Sequence, residues 1–374
     1  MPDAPQETLS HPRATPGLIG HATAEVALLD AYNADRLHHA WLITGPRGVG
    51  KATLAYRFAR FLLSRPLKDA GASLFGDGLE ETTPESLELA PDHPVFRRVA
   101  ACGHADLVTV ERALDEARGR RRTEIVVDDI RKLHGFYGQT AAEGGWRVVV
   151  IDAADEMNRN AANALLKILE EPPANSVLLL VAHAPGRLLP TIRSRCRHLP
   201  LRPLSSEAIG ALVAERYPEL SSEDTEIVGR LAEGTPGRAV SLIEDGGLEV
   251  YQETIGLIRT LPKLDMAGVH RFAGTLSRPA NEGRFRAFRD LFAGWLGRAV
   301  RFGATGRPLP GLEGEAVTYE LFGGPASLDR LTALWEKVAG RFAAVDTLRL
   351  DRKQVVLTTF IGLQDVVVSG GGRS

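Results

Sequence analysis

The sequence predicts an α/β protein with a parallel sheet, followed by helical segments only. Three observations predict it. Val148, Val149, Val150 and Ile151 form a β-branched run without polar alternation, the pattern of a strand buried on both faces of a parallel sheet. Val177 to Val181 is a second apolar run, and between the two Ala162, Leu165, Leu166 and Leu169 share one helical stripe over Asn158 to Glu171, until Pro172-Pro173 ends it. Strand, helix, strand makes one right-handed crossover unit. Third, from Glu249 onward the periodicity is helical throughout.

Asp152 stands at the carboxyl end of the first of these strands. Ligands of open α/β sheets bind outside that end, so an acid there reaches a phosphate-bound cation; the alternative is a helix N-cap. After the second strand the chain reaches Arg193-Ser194-Arg195-Cys196, two guanidinium groups in a largely apolar surrounding.

Upstream, Val26, Leu29 and Leu37 mark an amphipathic helix over Ala22 to Leu37, and Trp41-Leu42-Ile43 a short buried strand. That strand runs into Gly45-Pro46-Arg47-Gly48-Val49-Gly50-Lys51-Ala52-Thr53 and then into the helical pattern Leu54, Tyr56, Phe58, Phe61, Leu62. Strand, glycine-rich loop, lysine and helix are the context of a P-loop. Glycines let successive backbone N–H groups face an anion, the helix N-terminus adds its dipole, and Lys51 supplies a point charge. The last position departs from the pattern: Ala52 has no hydroxyl for Mg²⁺, and Thr53 lies about 100° further round the helix. Nucleotide binding is therefore expected without metal-assisted hydrolysis, the alternative being a glycine-rich turn with no ligand.

Lys68 to Val99 loses periodicity and reads as a solvated insertion with one short helix, Glu80 and Glu81 being wet surface. Ala105 to Val110 is a strand, Arg118 to Arg122 an exposed loop, and Val126 to Tyr137 a helix introduced by Thr123 or Asp128. Past Cys196, His198 to Leu204 is an extended exit whose prolines mark a boundary. Ser206 to Tyr217, Ser221 or Ser222 to Ala232, and a segment entered through Gly234-Thr235-Pro236-Gly237 are three short helices. The third carries Arg238 in its first turn, against the helix dipole unless an anion or acid faces it. Further on, Phe285, Phe288, Phe292, Trp295 and Phe302 recur at helical spacing, as do Leu331, Leu334, Trp335, Val338 and Phe342. Arg284, Arg286, Arg289, Arg298 and Arg301 lie among the first set; base stacking is one reading, and core aromatics with snorkelling arginines is the preferred one.

Composition narrows the class. With 374 residues, 44% hydrophobic and 25% charged, the chain has room for two or three globular domains, and a net charge of -2 makes no global case for nucleic acid. No run of about 18 apolar residues and no signal-peptide core appear, so a cytoplasmic protein without a membrane partner is expected. Two cysteines, Cys102 and Cys196, make neither a disulfide framework nor a four-thiolate zinc site.

Taken together, L-I-G-H at Leu18 to His21, H-H-A-W-L-I-T-G-P at His38 to Pro46, N-A-L-L-K-I-L-E-E-P-P at Asn163 to Pro173, S-R-C at Ser194 to Cys196 and G-T-P-G-R-A at Gly234 to Ala239 resemble bacterial clamp-loader subunits of the AAA+ superfamily. The resemblance implies an α/β P-loop AAA+ domain with a parallel sheet at residues 1–201, a three-helix lid at 202–246 and an all-helical collar at 247–374. It implies assembly with motor subunits of the gamma/tau kind and with delta, which act on a sliding clamp and primed DNA. Arg195 would be an arginine finger acting in trans, a group that contributes about 10³–10⁵ in rate in such sites. Asp152 would be the Walker-B-like acid and Arg238 the lid arginine called sensor 2. Gly45, Arg47, Gly48, Val49, Gly50, Lys51, Ala52 and Thr53 would hold ATP or ADP weakly or without hydrolysis. The family's motor members carry a glutamate where this chain has Ala153; Asp155 and Glu156 are expected to cap the next helix instead. Many relatives carry a four-cysteine zinc module where this chain has Lys68 to Val99, and no zinc is expected here. The other readings are a gamma/tau-type motor ATPase and a free-standing P-loop kinase or transferase.

Overall fold

The computed structural model describes residues 11–67, 83–115, 120–307, 313–322 and 325–370. The chain divides into two compact units, Met1–Leu204 with Thr235–Gly237, and Ser205–Gly234 with Arg238–Ser374. Among the described residues no helix is long and apolar enough to cross a membrane.

In the first unit α1 (Ala22–Asn33) leads to β1 (Ala40–Thr44) and α2 (Lys51–Leu63), then α3 (Pro94–Ala100), β2 (Leu107–Glu111) and a small hairpin of β3 (Leu114–Asp115) and β4 (Arg120–Arg121). There follow α4 (Val127–Tyr137), β5 (Arg147–Asp152), α5 (Arg159–Glu170), β6 (Ser176–Ala182), α6 (Pro190–Arg193) and β7 (Arg197–Pro200). The main sheet has the order β2-β5-β6-β1-β7, and every pairing in it is parallel. The predicted parallel sheet is thus present, and its central strands bury both faces because alternate residues feed two cores. Trp41, Ile43, Val148, Val150 and Leu179 pack with Leu54, Phe58 and Phe61 of α2 on one side. Leu42, Val149, Ile151 and Leu180 pack with Ile130 of α4 and Leu165 and Ile168 of α5 on the other.

Several expectations change. The extended exit after Cys196 is a fifth strand: Trp41 to Thr44 of β1 pair with Arg197 to Pro200. Pro200 is tolerated because β7 lies at the sheet's edge, where a missing N–H breaks no ladder. Neither Thr123 nor Asp128 caps α4; Val126 does, and its N–H donates to the Asp129 carboxylate at 3.3 Å. The insertion is not all solvated, since Leu87, Val95 and Val99 are buried in the α2 core; residues 68–82, Glu80 and Glu81 among them, lie outside the described residues. Arg120 and Arg121 belong to the small hairpin rather than a loop.

The second unit is all helical: α7 (Ser206–Arg216), α8 (Ser222–Leu231), α9 (Pro236–Glu244, its first turn counted with the first unit), α10 (Gly247–Ile258), α11 (Met266–Leu276), α12 (Glu282–Thr305), α13 (Glu313–Glu320), α14 (Pro325–Leu348) and α15 (Arg352–Gly370). Ser205 and Ser221 hydroxyls accept from the N–H groups of Ala208 and Asp224, capping α7 and α8. Phe285, Phe288, Phe292 and Trp295 of α12 are core, against Phe272 of α11, Phe342 of α14 and Phe360 of α15. Trp335, in contrast, is exposed. Arg298 does not snorkel: its Nε and terminal nitrogen donate to the two oxygens of the fully buried Glu315 at 2.8 and 2.7 Å, and the Tyr319 hydroxyl donates to the same carboxylate.

Candidate functional site

β1 ends in the glycine-rich loop, and Gly50 forms the cap of α2. Gly45, Gly48 and Gly50 have φ of 146°, 78° and 108°, which only glycine adopts without strain. The loop is closed by its own chain. Lys51 is only 3% exposed, and its ammonium donates to the carbonyls of Gly45 at 2.8 Å and Pro46 at 2.6 Å. The His21 ring donates to the Val49 carbonyl at 2.8 Å. Gly237 N–H donates to the Gly48 carbonyl at 2.9 Å, and a Cβ on Gly237 would lie 2.9 Å from the Gly48 Cα. The turn through Thr235-Pro236-Gly237 therefore sits on the loop by a backbone contact that only glycine permits.

The carboxyl ends of β2, β5 and β6 surround this loop with charge. Asp152 is pushed up to about 6, by burial first and by the Glu111 and Glu156 carboxylates, against the pull of Lys51. Burial likewise pulls Lys51 down to about 8, with Asp152 and Asp155 opposing. Asp155 and Glu156 do not cap α5; Asn158 does, its side-chain oxygen accepting from Ala161 N–H at 2.9 Å. Asp155 instead accepts the N–H groups of His183 and Ala184, both at 2.9 Å, and so ties the exit of β5 to that of β6. Glu156 takes Arg47 and Arg112, each at 2.7 Å. His183 was not singled out from the sequence: a lone histidine after a strand carries no periodic signal. Its ring is pulled down to about 4 by burial, then by Lys51 and Arg47, and Nδ1 is buried without a hydrogen-bond partner.

Two groups used in metal-assisted phosphoryl transfer are missing from these positions. Ala52 offers no ligand, Ala153 is buried and carries no carboxylate, and two donors of Lys51 are engaged by the loop's own carbonyls. Thr53, in the first turn of α2, cannot substitute for the missing hydroxyl at 52.

Arg195 lies elsewhere. It follows α6, beside Cys196, whose thiol is buried and pushed up to about 12. Its terminal nitrogens bind Glu170 Oε1 at 2.8 Å and the Thr191 carbonyl at 3.1 Å. Because β7 runs parallel to β1 in the register Trp41 with Arg197 through Thr44 with Pro200, Arg195 is at the amino end of the sheet and the glycine loop at the carboxyl end. At 3.3 Å per residue that is about 15 Å or more of strand, beyond the reach of a side chain. Arg238, in the second unit, pairs with Glu233 at 2.9 Å, the facing acid that its place at a helix start requires.

One group of possible metal ligands, His104, Asp106 and Glu143, was not anticipated. Asp106 accepts from the N–H groups of Ala142 and Glu143, His104 Nδ1 accepts from Asp106 N–H and Glu143 pairs with Arg98, while His104 Nε2 is buried without a hydrogen-bond partner.

A family model described as DNA polymerase III, delta subunit, matches residues 20–205, close to the extent of the sheet unit. The DNA polymerase III subunit delta′ of Pseudomonas aeruginosa is 34% identical over 267 residues, 71% of this chain and 73% of that protein. The chain belongs to the DNA polymerase III delta-prime family. The Escherichia coli delta′ subunit is 31% identical over 224 residues, 58% of each chain. Likeness extends to the gamma/tau subunit of Mycobacterium tuberculosis, 33% identical over 195 residues but only 29% of that longer protein.

Proposed function

We propose that this chain is the delta-prime subunit of a DNA polymerase III clamp loader, that its own P-loop does not hydrolyse ATP, and that it lends Arg195 to the ATP site of a neighbouring gamma/tau-type motor subunit. In this reading it assembles with those motors and with delta, and the complex loads a sliding clamp on primed DNA. The placement of Arg195 is the observation that carries the proposal. A partly exposed guanidinium at the opposite end of the sheet from its own phosphate loop cannot reach a phosphate held there, so its charge is available to a site outside this unit. There it would offset the negative charge on the transferring phosphoryl group.

The closed loop supports the other half. Two of the three donors of Lys51 are on carbonyls of its own loop, and no hydroxyl at 52 or carboxylate at 153 completes the chemistry. Asp152 stays as the acid at the end of β5, while Asp155 and Glu156 are engaged by backbone N–H groups and by arginines. A gamma/tau-type motor is disfavoured by the same residues.

The test is ATP turnover in two settings. The isolated chain is expected to show none, and the complex reconstituted with gamma/tau, delta, clamp and primed DNA is expected to lose stimulated turnover when Arg195 is changed to Ala. Motor-like turnover by the isolated chain, or an unaltered complex with Arg195→Ala, would overturn the reading.

A further inference from the structure

The guanidinium of Arg195 is held on one side by two different elements. One terminal nitrogen meets Glu170 Oε1 at 2.8 Å, and the other donates to the Thr191 carbonyl in α6 at 3.1 Å. Glu170 is the last residue of α5, one position beyond the buried Leu169, and the following Glu171-Pro172-Pro173 ends the helix. The amino end of α5 is fixed by Asn158, and its inner stripe of Ala161, Leu165, Ile168 and Leu169 is locked in the core. Glu170 thus presents its carboxylate from a rigid base.

Helix stability does not account for an acid at that position. The carboxyl end of a helix carries partial negative charge, so Glu170 opposes the dipole there unless a cation faces it. Nor does the pair itself stabilise the fold much, because both side chains are well exposed, 37% for Arg195 and 50% for Glu170. What the contact does supply is direction. A guanidinium has five N–H groups, and with one terminal nitrogen on Glu170 and the other on Thr191 the rotation of the long side chain is curtailed while further N–H groups stay available. A donor aimed in advance loses less freedom when its target arrives.

We propose that Glu170 is a positioning residue for Arg195: from the last turn of α5 it holds the guanidinium in the orientation in which it meets the phosphoryl group of the neighbouring subunit. This rests on the trans role of Arg195 proposed above. Glu170 itself touches neither nucleotide nor metal.

The experiment is a double-mutant cycle in the reconstituted complex with motors, delta, clamp and primed DNA, reading stimulated ATP turnover. Glu170→Ala is expected to lower kcat about tenfold with little change in KM for ATP. Glu170→Gln keeps an acceptor for Arg195 and should recover most of the activity. The pair Glu170→Ala with Arg195→Ala should be no worse than Arg195→Ala alone. If Arg195→Ala is damaging but Glu170→Ala is silent, the positioning role falls and the trans role stands. If Arg195→Ala is silent, both fall. Multiplying effects in the double variant, or loss of assembly with Glu170→Ala by size exclusion, would also overturn the proposal, because Glu170 would then be acting somewhere other than on Arg195.

Discussion

The two ends of the sheet are built in opposite senses. At the carboxyl end the glycine loop turns its groups inward: Lys51 on the Gly45 and Pro46 carbonyls, Gly48 beneath Gly237, Val49 beneath His21. At the amino end Arg195 is steadied from behind by Glu170 and Thr191 and remains 37% exposed. The loop has the features of a phosphate site and turns its lysine onto its own carbonyls, whereas the arginine is held at the surface with N–H groups to spare.

The comparison can be broken most directly at the arginine. Arg195→Ala should cost about 10³-fold in turnover at the motor site it completes, read as ATP hydrolysis of the DNA-bound complex. If the loop is architecture, changes there should register as stability instead. Asp152 has a folded pKa raised from 3.8 to about 6, so its contribution to stability is present below about pH 4 and is lost as pH rises through about 6. Asp152→Asn removes that loss, and urea unfolding followed by intrinsic tryptophan fluorescence should show a gain of ~2 kcal/mol at pH 7.5 and almost none at pH 4. A loss at pH 7.5 would mean the carboxylate is needed in place. Gly237→Ala forces a Cβ onto Gly48 and should destabilise the same unit by about 1–3 kcal/mol by the same measurement. The smallest effect belongs to Lys51→Ala, which should leave turnover of the complex within about twofold of the parent. A motor-sized drop would show that the loop does hold a working nucleotide.

Much of the fold was legible locally. β5 and β6 announce themselves as apolar β-branched runs, and the loop at 45–53 follows from a strand, its glycines and a lysine before a helix. The missing oxygens at 52 and 153 are also plain in the sequence. What failed to show were features with short or irregular signals. β7 has four residues and a proline, so it looks like an exit until β1 is beside it. Asp155 and Glu156 precede a helix as caps do, yet their partners are the exits of β6 and the arginines at 47 and 112. Arg298 sits among aromatics as a snorkelling residue does, and only the arrival of α13 places Glu315 against it.

The sequence by itself determined the buried strands, the helix that joins them, the family likeness and the absence of hydrolytic oxygens, because each of these is written in side-chain type and in spacings shorter than one turn or one strand. Tertiary structure alone decided that Lys51 spends its charge on its own loop, that Gly237 lies on Gly48, and that Glu170 steadies Arg195. These depend on where parts of the backbone come to rest after the sheet closes: Gly237 and Gly48 are far apart in sequence, Glu170 and Arg195 are separated by a strand, and the carbonyls that take Lys51 are placed by the turn of the loop. No periodicity records such a meeting, since local free energy is indifferent to it until packing brings the groups within hydrogen-bond reach.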